Sequence, residues 1–127
     1  MSTKLHLIAH NIRSCENVGS LFRTADSLGV SKLWLSGYTP VPPDPKIAKV
    51  ALGAEQVVPH ESHADIESVL RSLKQASVQV YALELASEAI GLSVFQPPAE
   101  MALLLGTETT GIPLWLLESC IGTIFIP

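Results

Sequence analysis

Neither a disulfide framework nor a zinc site is open to this chain. Its 127 residues hold two cysteines, Cys15 and Cys120, far apart, with no CxxC pair and no Cys/His cluster at ligand spacing. Reduced thiols are expected. Long apolar runs are missing as well: stretches such as Met101 to Leu105 fall far short of the roughly 20 residues a membrane helix needs, and Met1–Ser2–Thr3–Lys4 opens no signal-peptide apolar region. The expectation is a cytoplasmic chain. Charge is sparse at 16% against 47% hydrophobic residues, and there is no low-complexity tract, a composition that excludes disorder. Two nucleotide signatures are also absent. No GxGxxG opens the first helix, and Gly106–Thr107–Glu108–Thr109–Thr110–Gly111 continues into Ile112–Pro113 rather than the Lys and Ser/Thr of a P-loop. ATP and NAD readings weaken together.

What is present is enough for one domain spanning 1–127, with a single hydrophobic core. The net charge of −4 argues against a generally basic coat, yet it is unevenly spread. Residues 1–50 hold six Lys/Arg against three Asp/Glu, a balance of +3, whereas the remainder holds two against nine, a balance of −7. Chance solvated charge explains this, and so does a local face that contacts phosphates.

Leu5 to Ala9 reads as a buried strand, after which Asn17 is expected to cap a helix that runs through Leu28 and stops at Gly29. Val18, Leu21, Phe22, Ala25 and Leu28 share the apolar arc of that helix, with Ser20, Arg23, Thr24 and Ser27 opposite. Lys32 to Ser36 reads as a second strand. Gly37 to Pro45, with four prolines, is a stiff loop into a short helix ending near Gly53. A short strand is expected over Glu55 to Pro59, then a helix capped by Ser62 and Asp65 and running to about Ala76, with Val69, Leu70 and Leu73 on its apolar side. Val78 to Leu85, Met101 to Leu105 and Thr123 to Ile126 are strand-forming, and Pro113 suits the first turn of a helix from Leu114 to Cys120. Strands alternating with helices, several of them continuous apolar runs, predict an α/β fold: a Rossmann-like, mostly parallel sheet covered by helices on both faces. In such sheets ligands sit at the carboxyl ends of the strands, which singles out the loops His10 to Asn17, Leu85 to Ala89 and Gly106 to Pro113.

Two of those loops carry motifs. Asn17–Val18–Gly19–Ser20–Leu21–Phe22–Arg23–Thr24–Ala25 matches the NxGxxxRTA first motif of the SpoU (TrmH-like) RNA methyltransferases of the SPOUT superfamily. Leu103–Leu104–Leu105–Gly106–Thr107–Glu108 with Gly111–Ile112–Pro113 resembles their second motif. Gly37–Tyr38–Thr39–Pro40, Lys49, Leu52–Gly53–Ala54–Glu55 and Ala82–Leu83–Glu84 are similar to the family too, so the resemblance covers essentially the whole chain. It implies an S-adenosylmethionine-dependent 2′-O-ribose methyltransferase of tRNA or rRNA, an α/β knot, a homodimer with the RNA site at the subunit interface, and no metal. The family's third motif follows an Ile-Pro pair, and the sequence stops at Ile126–Pro127. The resemblance therefore leads one to expect a missing or incomplete knot-forming segment, an incomplete donor site and an uncovered apolar surface.

The resemblance also implies roles. Asn17, Arg23 and Glu108 become the catalytic candidates. Arginine, with a pKa above about 12, is a costly literal base, so Arg23 is given a composite role: binding the adjacent phosphate, lowering the hydroxyl pKa and relaying its proton. A solvated residue on the polar arc is the structural alternative. Asn17 can cap the helix and orient Arg23 or substrate. Glu108 can accept from ribose or donor hydroxyls or hold Arg23, the alternative being a surface loop carboxylate. Leu83, Glu84, Gly106, Gly111 and Ile126 are the donor-binding candidates. His10, Arg13, Lys46 and Lys49 are the RNA-binding candidates, exposed loop polarity being the alternative for His10 and Arg13. His6 reads as a satisfied structural histidine, and Trp34 and Trp115 as core or interface fillers. Two rival readings of the chain are a catalytically inactive SPOUT-like module that binds nucleotide or RNA and, against the paired motifs, an unrelated Rossmann-like small-molecule enzyme.

Overall fold

The computed structural model describes residues 3–83, 90–91, 96–106 and 112–125. Chain order is β1 (Lys4–His10), α1 (Cys15–Leu28), β2 (Lys32–Ser36), α2 (Pro45–Ala51), α3 (Ala54–Val57), β3 (His60–His63), α4 (Ile66–Gln75), β4 (Gln79–Leu83), β5 (Ile90–Gly91), β6 (Glu100–Leu105), α5 (Leu114–Glu118) and β7 (Gly122–Phe125). The seven strands form one sheet in the order β3-β2-β1-β6-β4-β7-β5, and every pairing is parallel.

Side-chain alternation along the strands sorts the core into two layers. Leu7 of β1 stands level with Leu33 of β2 and Leu103 of β6, and this row packs under α1, α2 and α3 with Val18, Phe22 and Ile47. One residue along, Ile8 stands level with Trp34 and Leu104 and faces α4 and α5 through Val69, Leu73 and Leu116. A continuous apolar run is what a strand covered on both faces requires. Phe22 is fully buried, worth about 1.5–3 kcal/mol in surface removed from water.

On the second face the polar groups are paired. The Trp34 indole N–H donates to His6 Nδ1 at 3.2 Å, and His6 Nε2 lies 2.7 Å from a Glu100 carboxylate oxygen, so the tautomer with its proton on Nε2 satisfies both partners. His6 is the structural histidine that its place in an apolar strand suggested.

Local departures from the sequence-based expectation have physical reasons. Ser14, not Asn17, caps α1: its hydroxyl accepts the Asn17 backbone N–H at 3.1 Å, and the helix begins a turn earlier. Gly29, in the left-handed region, closes the other end as expected. Leu28, assigned to the apolar arc, is 69% exposed, because the arc drifts past the sheet at the helix end. Glu55 to Pro59 is no strand. Leu52 and Gly53 take positive φ and turn the chain into α3, which buries Ala54 and sets the buried Val58 four residues on. The strand is instead His60–His63, a polar edge strand whose HESH sequence carries no apolar signal. Asp65 caps α4 as expected, accepting the Ser68 N–H at 2.8 Å, while Ser62 lies in β3. Helix α5 ends at Glu118, short of the expected Cys120. Among the described residues no helix is long and apolar enough to cross a membrane.

Candidate active site

The first connection leaves the carboxyl end of β1 and enters α1 through Asn11, Ile12, Arg13 and Ser14. Asn11 adopts φ 54°, a left-handed conformation that asparagine tolerates better than most residues. Three hydrogen bonds fix it against the loop after β2. Asn11 donates its N–H to the Ser36 carbonyl at 3.2 Å, its side-chain Oδ1 accepts the Tyr38 N–H at 3.1 Å, and the Ile12 N–H reaches Thr39 Oγ1 at 3.0 Å. Thr39, buried, in turn donates to the Ala9 carbonyl at 3.1 Å. Gly37 makes this possible. It has φ 66°, and a Cβ there would sit 1.8 Å from Asn11 Oδ1.

Helix α1 is set by a second close approach. A Cβ at Gly19 would come within 2.8 Å of the Val50 Cβ and 2.9 Å of the Ile47 carbonyl, so glycine lets α1 and α2 touch. Asp44 links the two helix starts, capping α2 through the Lys46 N–H at 2.9 Å and accepting from the Cys15 thiol at 3.7 Å. Burial and the Asp44 carboxylate both push the Cys15 thiol above its ordinary value.

The result is a cavity of about 580 Å³ at the carboxyl end of the sheet, lined by Asn11, Ile12, Arg13, Ser14, Asn17, Ser20, Leu21, Thr24, Tyr38, Leu105 and Gly106. The Arg13 guanidinium, 5.4 Å over the Tyr38 ring, is the one charged group among the described lining residues. Asn17 and Gly106, from opposite ends of the chain, meet here because β1 and β6 are neighbours in register, Ala9 beside Leu105. Asn17, Ser20 and Thr24 follow at three- and four-residue spacing along one side of α1, a helical periodicity that is legible in the sequence beside the motif residue Asn17. Asn11 had no such signal, and Tyr38 had only its place in the family-like Gly37–Tyr38–Thr39–Pro40 stretch.

The other candidates lie elsewhere. Arg23 is exposed on α1 next to Thr24, does not line the cavity, and makes no hydrogen bond or ion pair among the described residues. Lys46 and Lys49 are exposed on α2. His10 turns away: its ring, half-buried, has Nδ1 2.9 Å from the Ser36 hydroxyl, and burial lowers its pKa against the opposing pull of Glu67. Leu83 ends β4 level with Leu105, which brings it beside Gly106 at the same edge. Glu84, Glu108, Gly111 and Ile126 lie outside the described residues. Among the described residues no group of three His, Cys, Asp or Glu side chains could hold a metal.

The model of the SpoU rRNA methylase family matches residues 4–127. The chain belongs to that family. Among its relatives, the 23S rRNA (guanosine-2′-O-)-methyltransferase RlmB of Neisseria meningitidis serogroup B is 28% identical over 97% of this chain and 49% of the relative's own length. This SpoU chain thus spans about half of that relative. In three dimensions it is similar to the AdoMet-bound rRNA methyltransferase of Sinorhizobium meliloti, with a TM-score of 0.90 and 26% identity over 100% of this chain and 48% of the other. A structure from work on 2-OH methylation of C/U34 on tRNA matches with a TM-score of 0.87 and 27% identity, over 98% of this chain and 80% of the other. The expected parallel α/β architecture is therefore the family's own.

Proposed function

We propose that this chain carries the S-adenosylmethionine-dependent 2′-O-methylation of ribose in tRNA or rRNA, acting in the cytoplasm as a homodimer. The observation that carries the reading is the convergence of the two motif loops, Asn17 and Gly106, on one cavity at the carboxyl ends of parallel strands. Relatives named for 2′-O-methylation, and a neighbour with AdoMet bound, support it.

The residues fit the methyl donor. Leu83, level with Leu105 at the carboxyl end of β4, and Gly106, just past the end of β6, are its donor-binding residues, and the same reading gives that role to Glu84, Gly111 and Ile126. When bound there, the donor supplies an electrophilic methyl group on a sulfonium. The chain's own work is to orient the acceptor ribose and ease loss of its hydroxyl proton. Asn17, with both an amide donor and an acceptor in the cavity, orients the sugar. Arg23 binds the neighbouring phosphate, lowers the hydroxyl pKa and relays the released proton to water; its solvated position on the polar arc leaves the guanidinium accessible for this. Glu108 accepts from a ribose hydroxyl or holds Arg23. Arg13, Lys46 and Lys49 meet the RNA backbone, and His10, with Nδ1 2.9 Å from the Ser36 hydroxyl, is the fourth RNA-binding residue of this reading. Exposed Leu114, Trp115 and Ile121 support the homodimer.

The test is calorimetric titration with S-adenosylmethionine followed by methyl transfer to bulk tRNA and rRNA. Arg23→Ala should abolish transfer while donor affinity and melting temperature hold, since it removes no core volume, and Arg23→Lys should rescue poorly because lysine lacks the planar fork. Donor binding without turnover on any RNA points to a binding module. No donor binding by the folded chain overturns the reading.

A further inference from the structure

Tyr38 is 53% exposed although it lies at the wall of the candidate active site. Its position is nevertheless fixed. The backbone N–H is held by Asn11 Oδ1, the preceding Gly37 can be no larger, and the next residue, Thr39, is buried and bonded to both Ile12 and Ala9. A braced backbone that holds out an aromatic ring with half its surface in water gains little stability from that exposure. Its partner is a guanidinium: Arg13 lies 5.4 Å over the ring, and both side chains line the same 580 Å³ cavity.

We infer that Tyr38, with Arg13 stacked on one face of its ring, forms a stacking platform for a nucleobase of single-stranded RNA, seating an unpaired nucleotide in the cavity with its ribose toward Asn17. An unstacked base offers a π-face of any sequence, and proteins take such bases on aromatic rings and arginine planes. The cavity's chemistry fits a nucleotide. The ring and guanidinium supply the stacking surface, Arg13 supplies the positive charge for a phosphate, and Asn17, Ser20 and Thr24 of α1 supply neutral hydrogen-bonding groups. No carboxylate among the described lining residues opposes the phosphate. The inference deepens the proposed RNA methyl transfer and rests on it. It assigns Tyr38, through Gly37 and Asn11, to substrate positioning, and it predicts a preference for unpaired over duplex targets.

The experiment compares binding of a mixed-sequence single-stranded RNA octamer with an abasic octamer of equal phosphate count, which separates stacking from charge. The wild-type chain should bind the intact octamer roughly tenfold or more tighter than the abasic one, as the stacking of a single base supplies. Tyr38→Ala should erase that difference, Tyr38→Phe should retain it, and Arg13→Ala should weaken both. In the wild-type chain the Tyr38 ring proton resonances should shift on adding the intact octamer and stay in place with the abasic one, a readout independent of any variant's folding. Equal affinity for the two octamers, no binding of the intact one, or an unmoved Tyr38 ring overturns the stacking platform. Those results leave donor binding and methyl transfer standing, whereas a chain that stacks RNA but binds no S-adenosylmethionine overturns the methyl-transfer reading instead.

Discussion

Two cavities of nearly equal size sit at opposite ends of the sheet, one of about 580 Å³ at the carboxyl ends of β1 and β6, the other of about 640 Å³ at the amino ends of β4 and β7. Volume does not distinguish them; construction does. The first is framed by loops cross-linked through Asn11, Thr39 and Ser36, with positive-φ residues at Asn11 and Gly37 holding backbone groups in place. The second is a groove between the end of α4 and the chain entering β7, edged by Glu67, Arg71 and Lys74, with charges of both signs. Its one thiol, Cys120, is pushed up to about 11 by burial and stays protonated at neutral pH, so it is no ready nucleophile. The lesson is that strand direction and loop bracing, rather than empty space, make one end of a parallel sheet a site.

The largest expected difference between the two is in activity. Asn17→Ala should lower methyl transfer by about 10²-fold, as loss of a substrate-positioning group does, whereas Lys74→Ala, at the other cavity, should leave it unchanged. Equal losses in a transfer assay would erase the distinction. A second contrast uses two glycines of almost the same φ. Gly29→Ala, with nothing within 4 Å of the new Cβ, should cost only the left-handed strain of about 1–2 kcal/mol. Gly37→Ala must also displace Asn11 Oδ1, so urea denaturation should show a larger loss, and the Tyr38 ring resonances should shift. Equal costs would mean that the fit of Asn11 against Gly37 is slack.

Charge sharpens the comparison more gently. Neutralising Arg13, Lys46 or Lys49 should flatten the slope of log RNA affinity against log salt by roughly one unit for each phosphate left without its cation, while Arg71→Ala and Lys74→Ala should not. Equal slopes in both groups would refute the localisation. The smallest effect concerns pH. Burial holds His10 below its ordinary pKa, so its neutral form is favoured in the folded chain. The stability this contributes is present above pH 6.5, the unfolded value, and is lost as pH falls through the lowered folded value. Thermal melts should therefore show His10→Asn losing less stability than wild type between pH 7.5 and acid; identical pH profiles would remove His10 from the account.

By itself the sequence determined the α/β class, most element positions and the motif residues. Leu5 to Ala9, Lys32 to Ser36 and Met101 to Leu105 are apolar runs that can be buried on both faces in only a few ways, and period-2 and period-3.6 patterns are local properties of the chain. The strand at His60–His63 escaped because an edge strand needs no apolar signal, and α3 escaped because Leu52 and Gly53 decide it through backbone torsions. What only the tertiary structure decided is which residues meet. Asn11 carries no motif and Tyr38 lies in a family-like stretch that named no role for it, and both reach Arg13, Asn17 and Gly106 through the pairing of β1 with β2 on one side and β6 on the other. Tertiary structure likewise separated Arg23 from the cavity wall and turned His10 toward Ser36. The physical reason is that a parallel sheet joins segments remote in sequence. Side-chain chemistry is written residue by residue, but its assembly at one cavity depends on long-range register, which no local pattern encodes.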